Sequence, residues 1–440
     1  MAPNMRNAKV HKDSEALKAA LKDLESLHPK KIDLGLGRIA RVLDTLGKPQ
    51  ESLPPTVHIA GTNGKGSTIA FLRAIAEAQG LRVHVYTSPH LVSFCERIIL
   101  AGEIVTEDVL LDALKRVRTA NDNQPLSFFE ATTAAAFLLF SEHPADLLIL
   151  ETGLGGRYDA TNIIERPAAT AITAIDYDHK EFLGKDLAEI AREKAGIFKL
   201  HAPAFSVNQT DLVRAILTSE AAKSRNQLRS LEEHFQCYIQ QGRLIYEDEN
   251  QLMDLPLPAL HGEHQTMNAG LAIALAKSLQ IDDASIAKGL ETAVWPARMQ
   301  ALSHGALFEI AAKHNAELWL DGGHNPHAAR AIAAAMAEME AKSPRPLILI
   351  MGMLANKDAP GFLDAFSGLA HALIAVPIED HASIGASSLM DMAKGRGFKA
   401  SACNNLKDAV AEATALNPKT PPRILICGSL YLAGMALALD

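Results

Sequence analysis

Short apolar runs alternate with longer stretches of helical periodicity along nearly the whole chain of 440 residues. The run TVHIA at 56–60 predicts a strand that leads through a glycine-rich turn into a helix, and Gly80 is expected to stop that helix. Because this alternation continues, the strands are expected to form mostly parallel sheets with helices on both faces. Further strands are predicted at 81–86, 147–151 and 168–175, and further helices at 106–119, 128–140 and 186–198.

The alternation of predicted strands and helices is interrupted at two places. Residues 225–262 combine a polar stretch, a short β-like run and the proline-rich LPLPAL, which predicts an irregular, partly antiparallel annex before a helix near Thr266. A Trp-Pro pair at 295–296 breaks a helical pattern, and the alternation then restarts. The fold class is therefore predicted to be α/β with two domains, residues 1–296 and a smaller Rossmann-like domain of residues 297–440. Strands of the second domain are predicted at 317–321, 346–352, 371–377 and 423–428, and helices at 327–341, 360–370 and the C-terminal end.

Composition and charge indicate which kinds of partner the protein binds. Hydrophobic residues make up 48% of the chain and charged residues 21%, which is ordinary for a globular protein, and the formal net charge is −8. This mild acidity disfavours a nucleic-acid-binding face. The four cysteines form no CxxC pair, the N-terminus has no secretory pattern, and no apolar run reaches the roughly 18 residues of a membrane span. We expect a cytoplasmic protein that binds neither nucleic acid nor a membrane.

The strongest chemical signal is the turn after the first strand, Gly61-Thr62-Asn63-Gly64-Lys65-Gly66-Ser67. Glycines let backbone N–H groups approach phosphate oxygens, the helix N-terminus adds partial positive charge, and Lys65 adds a full charge. A hydroxyl of Ser67 or Thr68 could hold Mg²⁺ or phosphate. The spacing departs from the general GxxxxGK[ST] pattern, and the alternative interpretation is a plain strand-to-helix turn.

Acidic and imidazole side chains follow two later strands of the first domain. Glu151 ends the strand LLILE, where an NTPase holds its magnesium or its attacking water, although a solvated acid would give the same pattern. The run DYDH at 176–179 follows the strand at 168–175. Its His179 is either structural or a ligand of a second cation.

The second domain has a comparable strand end. Asp321 opens the motif DGGHNPH, in which Asn325 is expected as a helix N-cap and Pro326 as the first helical residue. Arg298 follows the Trp-Pro break, and Lys194 lies in an otherwise ordinary helix. Taken alone, both of these basic residues indicate solvated cations.

Three weaker patterns occur in the first domain. The run SFFE at 127–130 matches a capping box, which competes with a substrate-contact role for Phe129 and Glu130. The glycines at 35–40 fit GxGxxA but follow no strand, and GLGGR at 153–157 lacks the GxGxxG spacing. A dinucleotide-binding fingerprint is therefore rejected.

Six motifs occur in order along the chain: GTNGKGS at 61–67, YTSPHL at 86–91, ETGLGGRYDATN at 151–162, DHKEFLG at 178–184, REKAGIFK at 192–199 and DGGHNPH at 321–327. Together they resemble the folylpolyglutamate synthase/dihydrofolate synthase branch of the Mur ligase superfamily, whose phosphate loop has this unusual spacing. The resemblance covers almost the whole chain. It implies a P-loop ATPase domain with a mostly parallel sheet, followed by a smaller Rossmann-like α/β domain.

The resemblance also implies the reaction of an acid–amino-acid ligase. ATP would phosphorylate a carboxylate of dihydropteroate or tetrahydrofolate, and the amine of L-glutamate would displace phosphate from the acyl phosphate to form an amide. Because the carboxylate and the γ-phosphate are both anionic, such a site must concentrate positive charge. By the same resemblance, the segment FFE at 128–130 implies a bifunctional enzyme and not one that only extends folates with glutamate.

Roles for individual residues follow from the same resemblance. Lys65, Lys194 and His324 are expected to be catalytic, and Lys194 is expected to carry a carbamate that turns a cation into a metal-binding anion. Two magnesium ions are expected, and a monovalent cation is left open. ATP is expected at Gly61, Thr62, Asn63, Gly64, Lys65, Gly66, Ser67, Asn268, Arg298 and Asp321. The metal ions are expected at Ser88, Glu151, His179 and Lys194, and the pterin at Asp33, Leu34, Gly35, Phe128, Phe129, Glu130 and Leu154.

Other classes of function remain open at this point. A muropeptide ligase of the same superfamily would usually carry a uridine-nucleotide domain before the phosphate loop, whereas only sixty residues precede Gly61. A P-loop nucleotide switch predicts slow hydrolysis without an acceptor, and a small-molecule kinase predicts a stable phosphorylated product. A two-substrate ligase fits the second α/β domain better, and the protein is expected to act as a monomer.

Overall fold

The computed structural model describes residues 12–28, 33–379, 381–416 and 420–439. Contacts divide the chain into two units. The larger unit comprises the described residues up to 259 together with 265–294, and the smaller unit comprises 260–264 and the described residues from 295 onward. The predicted domain boundary between residues 296 and 297 stays a prediction. Within the described ranges, no helix is long and apolar enough to cross a membrane.

An eight-stranded sheet forms the centre of the larger unit. Six neighbouring strands run parallel, and the last two strands on one edge are antiparallel. The strands are β1 (Thr56–Ala60), β2 (Val83–Tyr86), β3 (Ile98–Leu100), β4 (Glu103–Ile104), β5 (Leu147–Glu151), β6 (Ala169–Ile172), β7 (Ala204–Ser206) and β8 (Leu228–Ser230). Their order is β4-β3-β2-β5-β1-β6-β7-β8. Both β1 and β5 are buried at every position, as expected for strands covered on both faces, and their carboxyl ends meet at one edge of the sheet.

Helices connect these strands. They are α1 (Glu15–Glu25), α2 (Gly37–Thr45), α3 (Lys65–Ala78), α4 (Glu107–Asn121), α5 (Phe128–Glu142), α6 (Lys180–Leu183), α7 (Leu187–Ala195), α8 (Asp211–Lys223), α9 (His264–Ser278) and α10 (Asp283–Thr292). Gly80 stops α3 as predicted, with φ +84°. Because the N–H of Leu81 still bonds to the carbonyl of Ala76, β2 begins at Val83, two residues later than predicted.

The predicted annex contains a three-stranded antiparallel sheet. Its strands are β9 (Phe235–Gln240), β10 (Arg243–Asp248) and β11 (Leu252–Leu255), in the order β11-β10-β9. The antiparallel prediction is confirmed for this part. The prediction was wrong for β8, which lies in the same polar stretch but pairs in parallel with β7 and extends the main sheet.

A six-stranded sheet forms the centre of the smaller unit, and all its strands except β12 run parallel. The strands are β12 (Gln300–Ala301), β13 (Glu317–Leu320), β14 (Leu347–Met351), β15 (Ala370–Ala375), β16 (Ala400–Ala402) and β17 (Arg423–Cys427), in the order β12-β13-β17-β14-β15-β16. The helices are α11 (Gly305–Ala312), α12 (Pro326–Lys342), α13 (Ala359–Asp364), α14 (Ala386–Lys394), α15 (Leu406–Ala415) and α16 (Leu430–Leu437). As predicted, Asn325 caps α12 by accepting the N–H of Ala328 at 2.9 Å, and Pro326 is its first residue.

The predicted α/β class with mostly parallel sheets is confirmed. One predicted helix is too long, because α13 ends at Asp364 and the chain then turns through Gly368 at φ +75° instead of continuing to residue 370. The sequence pattern did not predict α8, α11, α14 and α15, in each of which no more than half of the residues are buried.

Candidate active site

The turn between β1 and α3 has the geometry of a phosphate-binding loop. A Cβ at Gly61, whose φ is +151°, would lie 1.8 Å from the hydroxyl oxygen of Thr173. A Cβ at Gly64, whose φ is +94°, would lie 2.5 Å from Oδ1 of Asn268. Both positions therefore require glycine, and Asn268 lies against the loop. Because α3 begins at Lys65, its first N–H groups are at the loop.

Backbone bonds hold the middle of this loop in place. The N–H groups of Thr62 and Asn63 both donate to the carbonyl of Ala174, at 2.9 and 3.2 Å. The Thr62 hydroxyl donates to the carbonyl of Asp176 at 3.0 Å and accepts its N–H at 3.1 Å. The residues at 66–67 form the buried start of α3. The loop is thus fixed to the segment that follows β6, at the carboxyl edge of the sheet.

Two lysines converge on one carbonyl of the loop. Lys65 Nζ donates to the carbonyl of Gly61 at 3.1 Å and lies 3.8 Å from Oε1 of Glu151. Lys194 Nζ, on α7, donates to the same carbonyl at 2.9 Å. Only 5% of Lys194 is exposed, so it is not the solvated cation that its helix pattern indicates. The structure therefore brings Lys65, Lys194 and Glu151 together at Gly61.

Burial changes the acidity of Lys194. Burial, and after it the nearby charge of Lys65, lowers the pKa of the Lys194 ammonium from 10.5 to about 7, while Asp178 and Asp159 act in the opposite direction. Near neutral pH a large share of Lys194 is therefore the neutral amine. This form of lysine is a nucleophile and can add carbon dioxide.

We expect the free energy of unfolding to report this shift. Because the folded pKa of about 7 lies below the unfolded value of 10.5, the unfolded chain binds more protons across that window, and stability rises with pH there. In buffer free of carbon dioxide, Lys194→Met should be more stable than the wild type by a few kcal/mol at about pH 6, and should lose most of that advantage at about pH 10. Urea unfolding measures the difference. A difference that is independent of pH would contradict the buried-amine assignment.

Glu151 ends β5 beside the loop. Its Oε2 accepts the N–H of Ser88 at 3.0 Å, and its Oε1 faces Lys65. The Thr68 hydroxyl is buried in the first turn of α3 and has no hydrogen-bond partner among the described residues. Carboxylate and hydroxyl oxygens are the donors that Mg²⁺ prefers, so these residues fit a magnesium ion. Among the described residues, no three or more His, Cys, Asp or Glu side chains are grouped so that they could hold a metal ion. The predicted metal ligands are not such a group, because two of the four are Ser88 and Lys194.

His179 is the N-cap residue of α6. Its φ is +49°, and its N–H donates to Oδ1 of Asp178 at 2.9 Å. The His179 Nε2 lies 3.9 Å from Oδ2 of the same carboxylate. Since Asp178 raises the pKa of Lys194, the acidic side chain is within electrostatic reach of that lysine. The role of His179 as a metal ligand stays a prediction.

A separate polar cluster joins the segment before α2 to α5. The Arg38 Nε donates to both carboxylate oxygens of Glu130, at 3.1 and 3.0 Å, and its Nη1 donates to Oδ2 of Asp33 at 3.0 Å. Glu130 also accepts the N–H of Ser127 at 2.7 Å, so the predicted capping box is confirmed. Because these donors occupy its carboxylate and its side chain is 4% exposed, Glu130 orients Arg38. Sequence reasoning missed Arg38, whose only signal was an arginine in a helical pattern.

Other predicted pterin residues meet at the turn after β5. A Cβ at Gly153 would lie 2.4 Å from the ring of Phe129, so the ring lies directly on this turn. The N–H of Leu154 donates to Oδ2 of the buried Asp159 at 2.7 Å, which fixes the turn. Leu34 and Leu154 pack against the same apolar cluster of the larger unit. Asp159 is a second residue that sequence reasoning did not single out.

Two residues of the predicted pterin set, Phe128 and Gly35, do not lie at the turn after β5. The Phe128 ring packs edge-to-face on Phe94, with centroids 5.8 Å apart, in another apolar cluster. Gly35 has open space where a side chain would be. The structure therefore joins Asp33 to Glu130 through Arg38 and places the Phe129 ring on Gly153, the residue before Leu154. Phe128 and Phe129 both pack against that second cluster.

The smaller unit places its predicted residues at the end of β13. The buried Asp321 accepts the N–H of Gly323 at 2.7 Å and the N–H of Met299 at 2.9 Å. Arg298 Nη1 donates to the carbonyl of the preceding residue at 3.2 Å. His324 Nδ1 lies 3.2 Å from a glycine carbonyl of the same motif. Asp321 therefore ties the segment that carries Arg298 to the strand end that carries His324.

Two family models match these units. Residues 59–276 match the Mur ligase middle domain, and residues 308–430 match the Mur ligase, glutamate ligase domain. The phosphate loop, Glu151 and Lys194 lie in the first region, and Asp321 and His324 lie in the second. The fold and the site thus define an ATP-dependent ligase of the Mur type.

Comparison with individual proteins narrows this class. The dihydrofolate synthase/folylpolyglutamate synthase of Escherichia coli (strain K12) is 33% identical over 419 residues, which are 93% of this chain and 92% of that protein. The chain belongs to the dihydrofolate synthase/folylpolyglutamate synthase family. A solved structure of E. coli FolC in complex with DHPP and ADP has a TM-score of 0.87 at 29% identity, over 97% of this chain and 98% of that one. A bifunctional folylpolyglutamate synthase/dihydrofolate synthase with Mn, AMPPNP and L-glutamate bound has a TM-score of 0.83 at 30% identity, over 97% and 98%.

Proposed function

We propose that the protein uses ATP to join L-glutamate to dihydropteroate, which gives dihydrofolate, and to tetrahydrofolate, which extends a poly-γ-glutamate tail. The similar E. coli enzyme is named for both activities, and solved relatives hold ADP, or AMPPNP with L-glutamate. In this chain, one observation carries the proposal. Lys65 and Lys194 converge on the Gly61 carbonyl, and Glu151 faces Lys65, at a glycine-rich loop that opens α3.

Phosphoryl transfer is the first step. The N–H groups of Thr62 and Asn63 are bonded to Ala174, so the β- and γ-phosphates of ATP bind the N–H groups at 64–67, where the loop enters α3. Lys65 turns from the Gly61 carbonyl to the γ-phosphate. An oxygen of the acceptor carboxylate attacks the γ-phosphorus, the bond to ADP breaks, and an acyl phosphate forms. Lys65 and the N-terminus of α3 offset the negative charge of both reactants.

Ser88, Glu151, His179 and the carbamate of Lys194 would hold two magnesium ions, which offset charge on the phosphate oxygens when bound. Carbamate formation joins the Lys194 nitrogen to the carbon of carbon dioxide and releases a proton. The product is an anion, so a lysine that would repel Mg²⁺ becomes a ligand. The same change removes the repulsion between Lys194 and Lys65, which supports the proposal.

Amide formation is the second step. The neutral amine of L-glutamate attacks the acyl carbon, the carbon–oxygen bond to phosphate breaks, and the nitrogen loses a proton. We assign Asn268, Arg298 and Asp321 to the nucleotide and His324 to the phosphates. Asp321 serves this role by accepting the N–H groups of Met299 and Gly323, next to Arg298 and His324.

The pterin of the acceptor is assigned to the surface formed by Phe129 and Leu154. Arg38 binds both Asp33 and Glu130, and His28 also contacts Oδ2 of Asp33. Asp33 is the more accessible carboxylate for the amino-pyrimidine edge, because 35% of its side chain is exposed against 4% for Glu130. A flat ring and a hydrogen-bonding carboxylate suit such a heterocycle. The enzyme is further assigned as a cytoplasmic monomer.

Acceptor-dependent phosphate release tests the proposal. With Mg-ATP and L-glutamate, we expect release with dihydropteroate and with tetrahydrofolate, and mass spectrometry should show each product heavier by one glutamyl residue. Release with tetrahydrofolate alone would restrict the function to chain extension. Response only to a UDP-muramoyl acceptor would overturn the substrate assignment. Hydrolysis without acceptor dependence would favour a nucleotide switch, and a stable phosphorylated acceptor would favour a kinase.

A further inference from the structure

The segment at 88–93 lies between β2 and the 3₁₀ turn Phe94–Arg97. The carboxylate of Glu96, within that turn, binds the second half of the segment. Glu96 accepts the N–H groups of the three consecutive residues at 91–93, at 2.8, 2.9 and 2.7 Å. Hydrogen bonds to an ionised carboxylate are stronger than neutral ones, so three of them fix this backbone firmly. Asp13 adds a bond from the Ser93 hydroxyl at 2.6 Å.

The first half of the segment is held as well. The Ser88 N–H donates to Glu151 at 3.0 Å, and Nε of Arg97 donates to Nδ1 of His90 at 3.0 Å. Arg97 directly follows Glu96, so one short turn binds the segment at 90 and at 91–93. The backbone that carries Ser88 is therefore held at Ser88 itself and again at 90–93.

We propose that Glu96 is a positioning residue for the metal site: by binding the amides at 91–93, it holds the backbone of Ser88, whose N–H donates to Glu151. Both oxygens of Glu96 accept N–H groups, so it acts through the backbone and not as a ligand. Ordering a ligand before the metal arrives lowers the entropy cost of binding. The inference rests on the metal role proposed for Ser88 and Glu151.

Glu96→Gln tests this role, because glutamine keeps the volume but removes the charge and one acceptor oxygen. We expect the KM for Mg²⁺ to rise about tenfold, with kcat at saturating Mg²⁺ changed little, as is typical when a partner behind a metal ligand is lost. Asp13→Asn, which loosens only the far end of the segment, should give a smaller rise. Glu142→Gln removes an exposed carboxylate paired with Arg116 and should leave the KM unchanged.

A second measurement needs no turnover. In the metal-free protein, hydrogen exchange of the peptide at 88–93 should be faster in Glu96→Gln than in the wild type. Should Glu96→Gln fail to fold, Glu96→Asp retains the charge with a shorter reach and should show both effects in weaker form. A lowered Tm with an unchanged KM for Mg²⁺ would reduce Glu96 to a helix cap and overturn the proposal.

The variant Glu151→Gln separates this proposal from the one on which it rests. If Glu151→Gln raises the KM for Mg²⁺ and Glu96→Gln does not, only the positioning role fails. If neither variant changes the KM for Mg²⁺, the metal assignment itself fails. If both raise it and Glu142→Gln does not, both assignments stand.

Discussion

Replacing Lys65 by alanine should lower kcat for glutamate ligation by about 10³-fold while the protein stays folded. The reaction brings two anions together, and Lys65 is the full positive charge at the first residue of α3. No backbone N–H can replace that charge. We expect the free energy of unfolding to fall by no more than about 2 kcal/mol. Lys65 makes part-buried hydrogen bonds to the carbonyls of Gly61 and Thr62, and its contact with Glu151 is 3.8 Å long.

Single-turnover formation of the glutamylated product measures this loss, and thermal unfolding confirms the fold. Lys18→Ala is the matched control, because Lys18 is an exposed lysine paired with Glu15 on a helix of the same unit. Lys65→Arg keeps the charge but not the compact ammonium, and should recover only part of the activity. Near-normal turnover in a folded Lys65→Ala protein would remove Lys65 from the phosphate site.

Replacing Lys194 by alanine should lower kcat by about 10²-fold or more, and a small carboxylate such as acetate should restore part of it. The lysine lies 2.9 Å from the Gly61 carbonyl, inside the phosphate loop, and as a carbamate it would supply an anionic oxygen there. Acetate can enter the space left by the side chain and offer the same type of oxygen. Rescue should therefore increase with the acetate concentration.

Lys199→Ala is the control for this rescue. Lys199 is a largely buried lysine of the same motif, and its Nζ donates to the carbonyl of Asn162 at 3.0 Å. Its loss should reduce stability without creating any dependence on acetate. Full activity of Lys194→Ala without acetate would take Lys194 out of the metal site, and equal rescue of both variants would mean that acetate acts elsewhere.

Local sequence patterns determined the elements on which the site is built. The strand TVHIA, the glycines after it and the helix from Lys65 were readable because strand, turn and helix each depend on neighbouring residues. The same holds for the capping box of Ser127 and Glu130, and for Asn325 and Pro326 at the start of α12. The strand-helix alternation was enough to predict two mostly parallel sheets.

The environment of single side chains could not be read in this way. The helix of Lys194 has an ordinary amphipathic pattern, yet the residue is buried against Gly61, so its pKa falls to about 7. Gly61 must be glycine because of Thr173, which the neighbouring strand brings beside it. Arg38 matters because Asp33 and Glu130 bind it from two segments that are distant in sequence.

The sequence by itself determined the α/β class, the phosphate loop and the carboxylate at the end of β5, since these follow from local hydrogen bonding and hydrophobic periodicity. Only the tertiary structure decided that Lys194 is buried beside Lys65, that Glu130 is occupied by Arg38, and that Glu96 holds the segment of Ser88. Burial and charge pairing depend on which distant segments pack together, and that packing sets the acidity of each group and its access to a ligand.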